Sequence, residues 1–216
     1  MLRRRLLAVL TAVVAGISTT PVLAHAAPAA PTARPAETAE VDISKLPAVV
    51  ELNVRHEWQQ TGYWCGPAAT RMALSARMAN PPTQAALAQQ LPTHTGGTDH
   101  IGQVTRVLNN NLGTGWYETK EMPNDPPTAA QRDLLWRDIV LDINNNYPIV
   151  ANIVAPANNH PPGYPNYTIY HYFTVTGYNS DNMTVKIADS AGFSQGVYWL
   201  TFNQLATLIP PKGYSA

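Results

Sequence analysis

Apolar residues recur at helical spacing through the first half of the chain and at alternate positions through the second. Ala68, Ala69, Met72, Ala73 and Ala76 share one face of a helix that opens at Cys65-Gly-Pro and runs to about Met78. Pro67 suits its first turn, where a missing N–H is no loss, and Asn80-Pro-Pro stops it. Thr83 is a candidate N-cap for a second helix, Gln84 to Gln90, and Thr98 or Asp99 for a third running to Asn110. The third carries Ile101, Val104, Val107 and Leu108 on one side. A fourth helix spans about Ala129 to Asn144. From Pro148 the period drops to two. Pro148 to Ala155, Tyr167 to Tyr178, Met183 to Asp189 and Gly196 to Phe202 read as strands, and Phe202 to Leu208 as a closing helix. Helices followed by antiparallel strands give an α+β fold.

The N-terminal region follows a different pattern. Arg3, Arg4 and Arg5 precede an apolar run from Leu6 to Ile17, and small residues around Ala24 and Ala26 follow. This order predicts a secretory signal peptide over residues 1–26. The run is shorter than the ~20 residues a membrane span needs. Residues 27–46, Ala/Pro/Thr-rich at their start, read as a disordered tether or pro-segment, and residues 47–216 as one domain. Formal net charge is zero, with no basic cluster outside the signal, so neither nucleic acid nor an anionic membrane is an expected partner. The mature protein is expected to be secreted, free of the membrane and monomeric. His94, Asp99 and His100 lack an established ligand spacing, so no metal and no cofactor are expected.

Export changes the meaning of Cys65, which is the chain's one cysteine and therefore has no intramolecular disulfide partner. At a helix N-terminus its thiolate gains from unpaired N–H groups and the helix dipole. An adjacent imidazole would complete its activation as a nucleophile. Among the histidines, His171 lies on a strand, on the face that also carries Phe173, Val175 and Gly177. Closing the next hairpin with the turn Asn179-Ser180-Asp181 sets Val175 opposite Val185, Phe173 opposite Ile187 and His171 directly opposite Asp189. A carboxylate there would fix the imidazole tautomer and favour its cation. A bulge of one residue would break that alignment. Either Gln59 or Gln60 could donate to a developing oxyanion, alongside the Cys65 N–H. The insert Asn158 to Asn166 either shapes a cleft or forms a surface loop.

Three segments together carry a resemblance: Gln59-x5-Cys65-Gly-Pro-Ala-Ala, His171-Tyr-Phe-x-Val-x-Gly-Tyr178 and Val185-x-Ile-x-Asp189. Over about Leu52 to Leu208 the chain resembles the double-glycine leader peptidase-like family of bacteriocin-processing cysteine peptidases and their secreted single-domain relatives. The resemblance implies a papain-like fold, with Cys65 as nucleophile, His171 as general acid/base, Asp189 as its orienting partner and Gln59 as the oxyanion donor. It implies hydrolysis of a peptide or protein substrate. The transporter-linked members carry membrane and ATP-hydrolysing domains that this sequence lacks, so their double-glycine substrate does not transfer. Acyl transfer or non-peptide amide hydrolysis would use the same residues, and a catalytically silent binding module would keep the fold alone.

Overall fold

The helices and strands fall largely where the periodicity places them. A computed structural model describes Arg34 and residues 45–193 and 195–216, all within a unit spanning Pro31–Ala216. The expected signal peptide lies outside the described residues, as does residues 27–46 apart from Arg34, Lys45 and Leu46. The elements are β1 (Val49–Glu51), α1 (Cys65–Ser75), α2 (Gln84–Gln90), α3 (Ile101–Leu112), β2 (Thr119–Glu121) and α4 (Ala129–Asn144). β3 (Ile149–Ala155), β4 (Ile169–Asn179), β5 (Thr184–Ala188), β6 (Val197–Thr201), α5 (Phe202–Leu208) and β7 (Gly213–Ser215) follow.

Thr83 and Thr128 cap α2 and α4 by accepting from the backbone N–H groups of Ala86 and Gln131. One cap differs from expectation. α3 is capped by His100, not by Thr98 or Asp99: its side chain accepts from Gly102 N–H, and Gln103 reaches back to the His100 N–H. A neutral imidazole nitrogen can fill the acceptor role usually taken by Asp or Thr.

The strands form one antiparallel sheet in the order β2-β7-β3-β4-β5-β6, with β1 added on β4. β4 is its spine. β3 pairs with residues 169–175 and β1 with residues 177–179 along one edge, while β5 covers residues 174–179 on the other. Gly177 permits this, since a Cβ there would lie 2.6 Å from the Val50 carbonyl oxygen. Alternation along the strands separates two cores. Ile149, Ala151, Ile153, Phe173 and Val175 pack with α4 and α5, whereas Val150 and Tyr172 pack with α1 and α3.

The β4–β5 register departs from the expected one in two places. Asn179 pairs with Thr184, which puts Ser180, Asp181, Asn182 and Met183 in the turn. A bulge then falls between Val175 and Gly177. Each change alone would send side chains to the opposite face, but together they restore parity. Val175 meets Ile187 in place of Val185, and the ladder ends at Thr174 with Ala188. Asp189 is therefore a diagonal neighbour of His171 and not its direct opposite, a separation that side chains of this length can bridge.

Candidate active site

Cys65 is the first residue of α1 and is 9% exposed. Trp64, at the N-cap, offers no side-chain hydrogen bond, so the first-turn N–H groups remain available to an anion. Gly66 is required by crowding: a Cβ there would sit 2.3 Å from the Thr98 hydroxyl. Burial pushes the Cys65 thiol up, but hydrogen bonding and charge from His171, with backbone hydrogen bonds at Tyr172 and Gly66, outweigh it and leave the thiol below its ordinary value.

His171 Nε2–H donates to Asp189 Oδ1 at 2.9 Å, since a carboxylate can only accept. That bond leaves Nδ1 for the sulfur. Burial opposes a charged ring, yet Asp189 and the Cys65 thiolate prevail and raise His171 to about 10. Asp189 is itself 1% exposed and held by four donors. Besides His171, the Ala191 N–H reaches Oδ1 at 2.9 Å, and the hydroxyls of Tyr164 and Tyr198 reach Oδ2 at 2.8 and 2.5 Å. Burial would push its carboxyl up, but this shell holds it at about 2. Both phenols are raised well above the ordinary tyrosine value, by burial first and then by the carboxylate, and stay protonated donors.

The segment before α1 is stitched to the same corner. Gln59 N–H donates to the Ser190 carbonyl at 3.1 Å, and His56 Nε2–H to the Asp189 carbonyl at 2.7 Å. The buried Gln84 holds the strip from below, donating to the Trp58 carbonyl and accepting from Gln60 N–H. Cys65, Tyr170 and His171 border two cavities. One, of about 270 Å³, is lined by Gln59, Gly62, Ala191 and Phe193. The other, of about 220 Å³, is lined by Gly96, Thr98, Asp99, Asn152 and Lys212. An extended chain laid across both would pass over the sulfur. Gln59 Nε2 donates to the Thr61 carbonyl at 2.9 Å, and its second N–H is not committed to that bond.

Cys65, His171 and Asp189 thus come together, and Gln59 lines a cavity with Cys65 and His171. Gln60 is exposed, and its backbone is tied to Gln84. His94 bonds Asp99 at 2.9 Å, and His100 caps α3. Among the described residues no three His, Cys, Asp or Glu side chains converge on a possible metal position. Tyr164 and Tyr198 were not foreseen as partners of Asp189. Tyr164 comes from the Asn158–Asn166 insert, so that loop contributes to the site. Its one signal in the sequence is a large amphipathic residue among prolines and asparagines.

Several known proteins are similar. Residues 51–208 match the Peptidase_C39 like family. The peptidase domain of Streptococcus ComA, a bifunctional ABC transporter involved in quorum sensing, is 17% identical, with 76% of this chain and 98% of that chain covered and a TM-score of 0.48. A double glycine motif protease from an AMS/PCAT transporter, solved in complex with the leader peptide, is 14% identical, with 76% and 91% covered and a TM-score of 0.48. Xylellain, a cysteine protease from Xylella fastidiosa, is 14% identical, with 80% and 87% covered and a TM-score of 0.52; that likeness shows the fold to be papain-like. No curated protein sequence matches the chain. With most of its length matched, the chain belongs to the Peptidase_C39 like family and is a cysteine-type peptidase.

Proposed function

We propose that this protein is a secreted, monomeric peptidase that cleaves peptide bonds with Cys65, His171, Asp189 and Gln59. The observation that carries the reading is the continuous contact from thiol to imidazole to carboxylate, opening on the paired cavities. The Cys65 thiolate attacks the carbonyl carbon of the substrate. Negative charge moves to the oxygen, where the Cys65 N–H and the second N–H of Gln59 receive it. Imidazolium at His171 gives its proton to the leaving amine, and the C–N bond breaks to leave a thioester. The now neutral ring takes a proton from water, which attacks the thioester and releases the carboxylic acid and Cys65. Asp189 holds the ring in one tautomer throughout. Export rests on the basic, apolar and small-residue order of residues 1–26, and the substrate is a peptide or protein laid across the cavities.

The test is incubation of the purified protein with a peptide library, read by mass spectrometry, beside Cys65→Ala. New termini that appear only with the parent protein are expected. Full cleavage by Cys65→Ala would refute the assignment. Iodoacetamide should also label Cys65 rapidly at mildly acidic pH. Labelling as slow as a free thiol, with no cleavage, would favour a silent binding module, and ligated products would favour acyl transfer.

A further inference from the structure

The strongest unassigned constellation lies on α4. Asp138 and Asp142 are one helical turn apart, and both are wholly buried. Like charges at this spacing repel, and buried carboxylates need partners. Tyr214 hydroxyl donates to Asp138 Oδ2 at 2.8 Å, and Trp116 Nε1–H to Asp142 Oδ1 at 3.0 Å. The remaining partner comes from far upstream. Arg34 Nη2–H donates to Asp138 Oδ1 at 2.6 Å, and Nη1–H donates to Asp142 Oδ1. The guanidinium also lies 6.0 Å from the centre of the Trp116 ring. Its side chain is 4% exposed.

We infer that Asp138, Asp142, Trp116 and Tyr214 form a guanidinium socket, and that Arg34 is its occupant, latching the segment upstream of the peptidase domain onto α4. The pieces suit that ligand specifically. A guanidinium is planar, always charged and able to send separate N–H groups to two carboxylates while an aromatic ring covers it. An ammonium is a point charge and would serve one carboxylate well and the other poorly. The socket also uses a residue from a stretch whose composition alone reads as a tether. Processing that cut before Arg34 would leave the latch intact. Processing after it would leave each of the two buried carboxylates with one donor among the described residues, Tyr214 for Asp138 and Trp116 for Asp142.

A double-mutant cycle on the full chain tests the inference, with the thermal midpoint as readout. Arg34→Met should lower the midpoint by about 10 °C, the scale of a buried ion pair broken on one side in a domain of this size. In an Asp138→Asn/Asp142→Asn background the same change should not lower it, because no carboxylate is left to strand and the guanidinium has already lost its partners. Methylguanidinium at millimolar concentration should raise the midpoint of Arg34→Met and not that of the parent. An unchanged midpoint in Arg34→Met overturns the inference, as does an equal loss in both backgrounds. If the double asparagine variant does not fold, rescue decides: a rise confined to Arg34→Met supports the socket, and an equal response in the parent sinks it.

Discussion

Asp189 and Asp142 are both carboxylates buried in one domain, and they behave in opposite ways. Asp189 receives an imidazole, an amide and two phenols, so both oxygens are served and its pKa falls to about 2. Burial dominates at Asp142, whose Oδ1 is bonded to Arg34 and Trp116 while Oδ2 has no hydrogen-bond partner among the described residues, and its pKa rises to about 7. Burial is therefore not what fixes a charge state. The number and placement of donors does. The proposed catalytic corner has a full donor shell and keeps its anion, while the structural corner depends on one borrowed cation.

The largest effect should come from removing the ring that links Asp189 to the sulfur. His171→Ala is expected to cut peptide cleavage by about 10³-fold or more, measured as kcat/KM, while the protein stays folded. Asp189→Asn should follow at about 10²- to 10⁴-fold, because the amide can present an N–H to Nε2 and so favour the wrong tautomer. Activity near the parent level in either variant would mean that the donor shell serves structure alone.

The two carboxylates also predict opposite slopes of stability against pH. An unfolded aspartate titrates near ~3.9. Asp189, depressed to about 2 in the fold, contributes stability that is fully present above ~4 and is lost as pH falls through about 2. Asp142, raised to about 7, binds its proton more tightly when folded. Its cost is fully present above about 7 and fades as pH falls towards ~4. Thermal midpoints should thus rise between pH 8 and 5, and that rise should flatten in Asp142→Asn. The same slope in parent and variant would remove Asp142 as its source. The smallest effect belongs to the phenols. Tyr198→Phe or Tyr164→Phe takes one donor of four from Asp189 and should lower unfolding free energy in urea by about 1 kcal/mol, with cleavage kept within about tenfold.

Much of this site was legible in the sequence because its pieces are local. Cys65 precedes an apolar helical stripe, and Thr83 and Thr128 announce their helices by cap chemistry. The His171–Asp189 contact was reached by the wrong route. The turn is longer than expected and the strand is bulged, two departures that periodicity cannot see because each leaves the alternation intact on either side. Tyr164, Tyr198 and Arg34 were invisible for another reason: each meets its carboxylate through placement in the fold, from a loop, the adjoining strand β6 and the far N-terminal side. The short strands β1, β2 and β7 carry no alternation long enough to register and exist because a neighbouring edge accepts them.

The paired irregularity in the β4–β5 hairpin has a consequence for how this enzyme tolerates changes of length. Deleting one residue from the tip between Ser180 and Met183, if the turn kept its four residues, would slide the ladder by one and turn either His171 or Asp189 outward. Deleting Thr176 alone would keep them facing each other, because Val175 would still meet Ile187 and Gly177 would still meet Lys186. The hairpin therefore tolerates loss of its extra residue, or a change of turn length that leaves the ladder in place, but not a slide of one strand along the other.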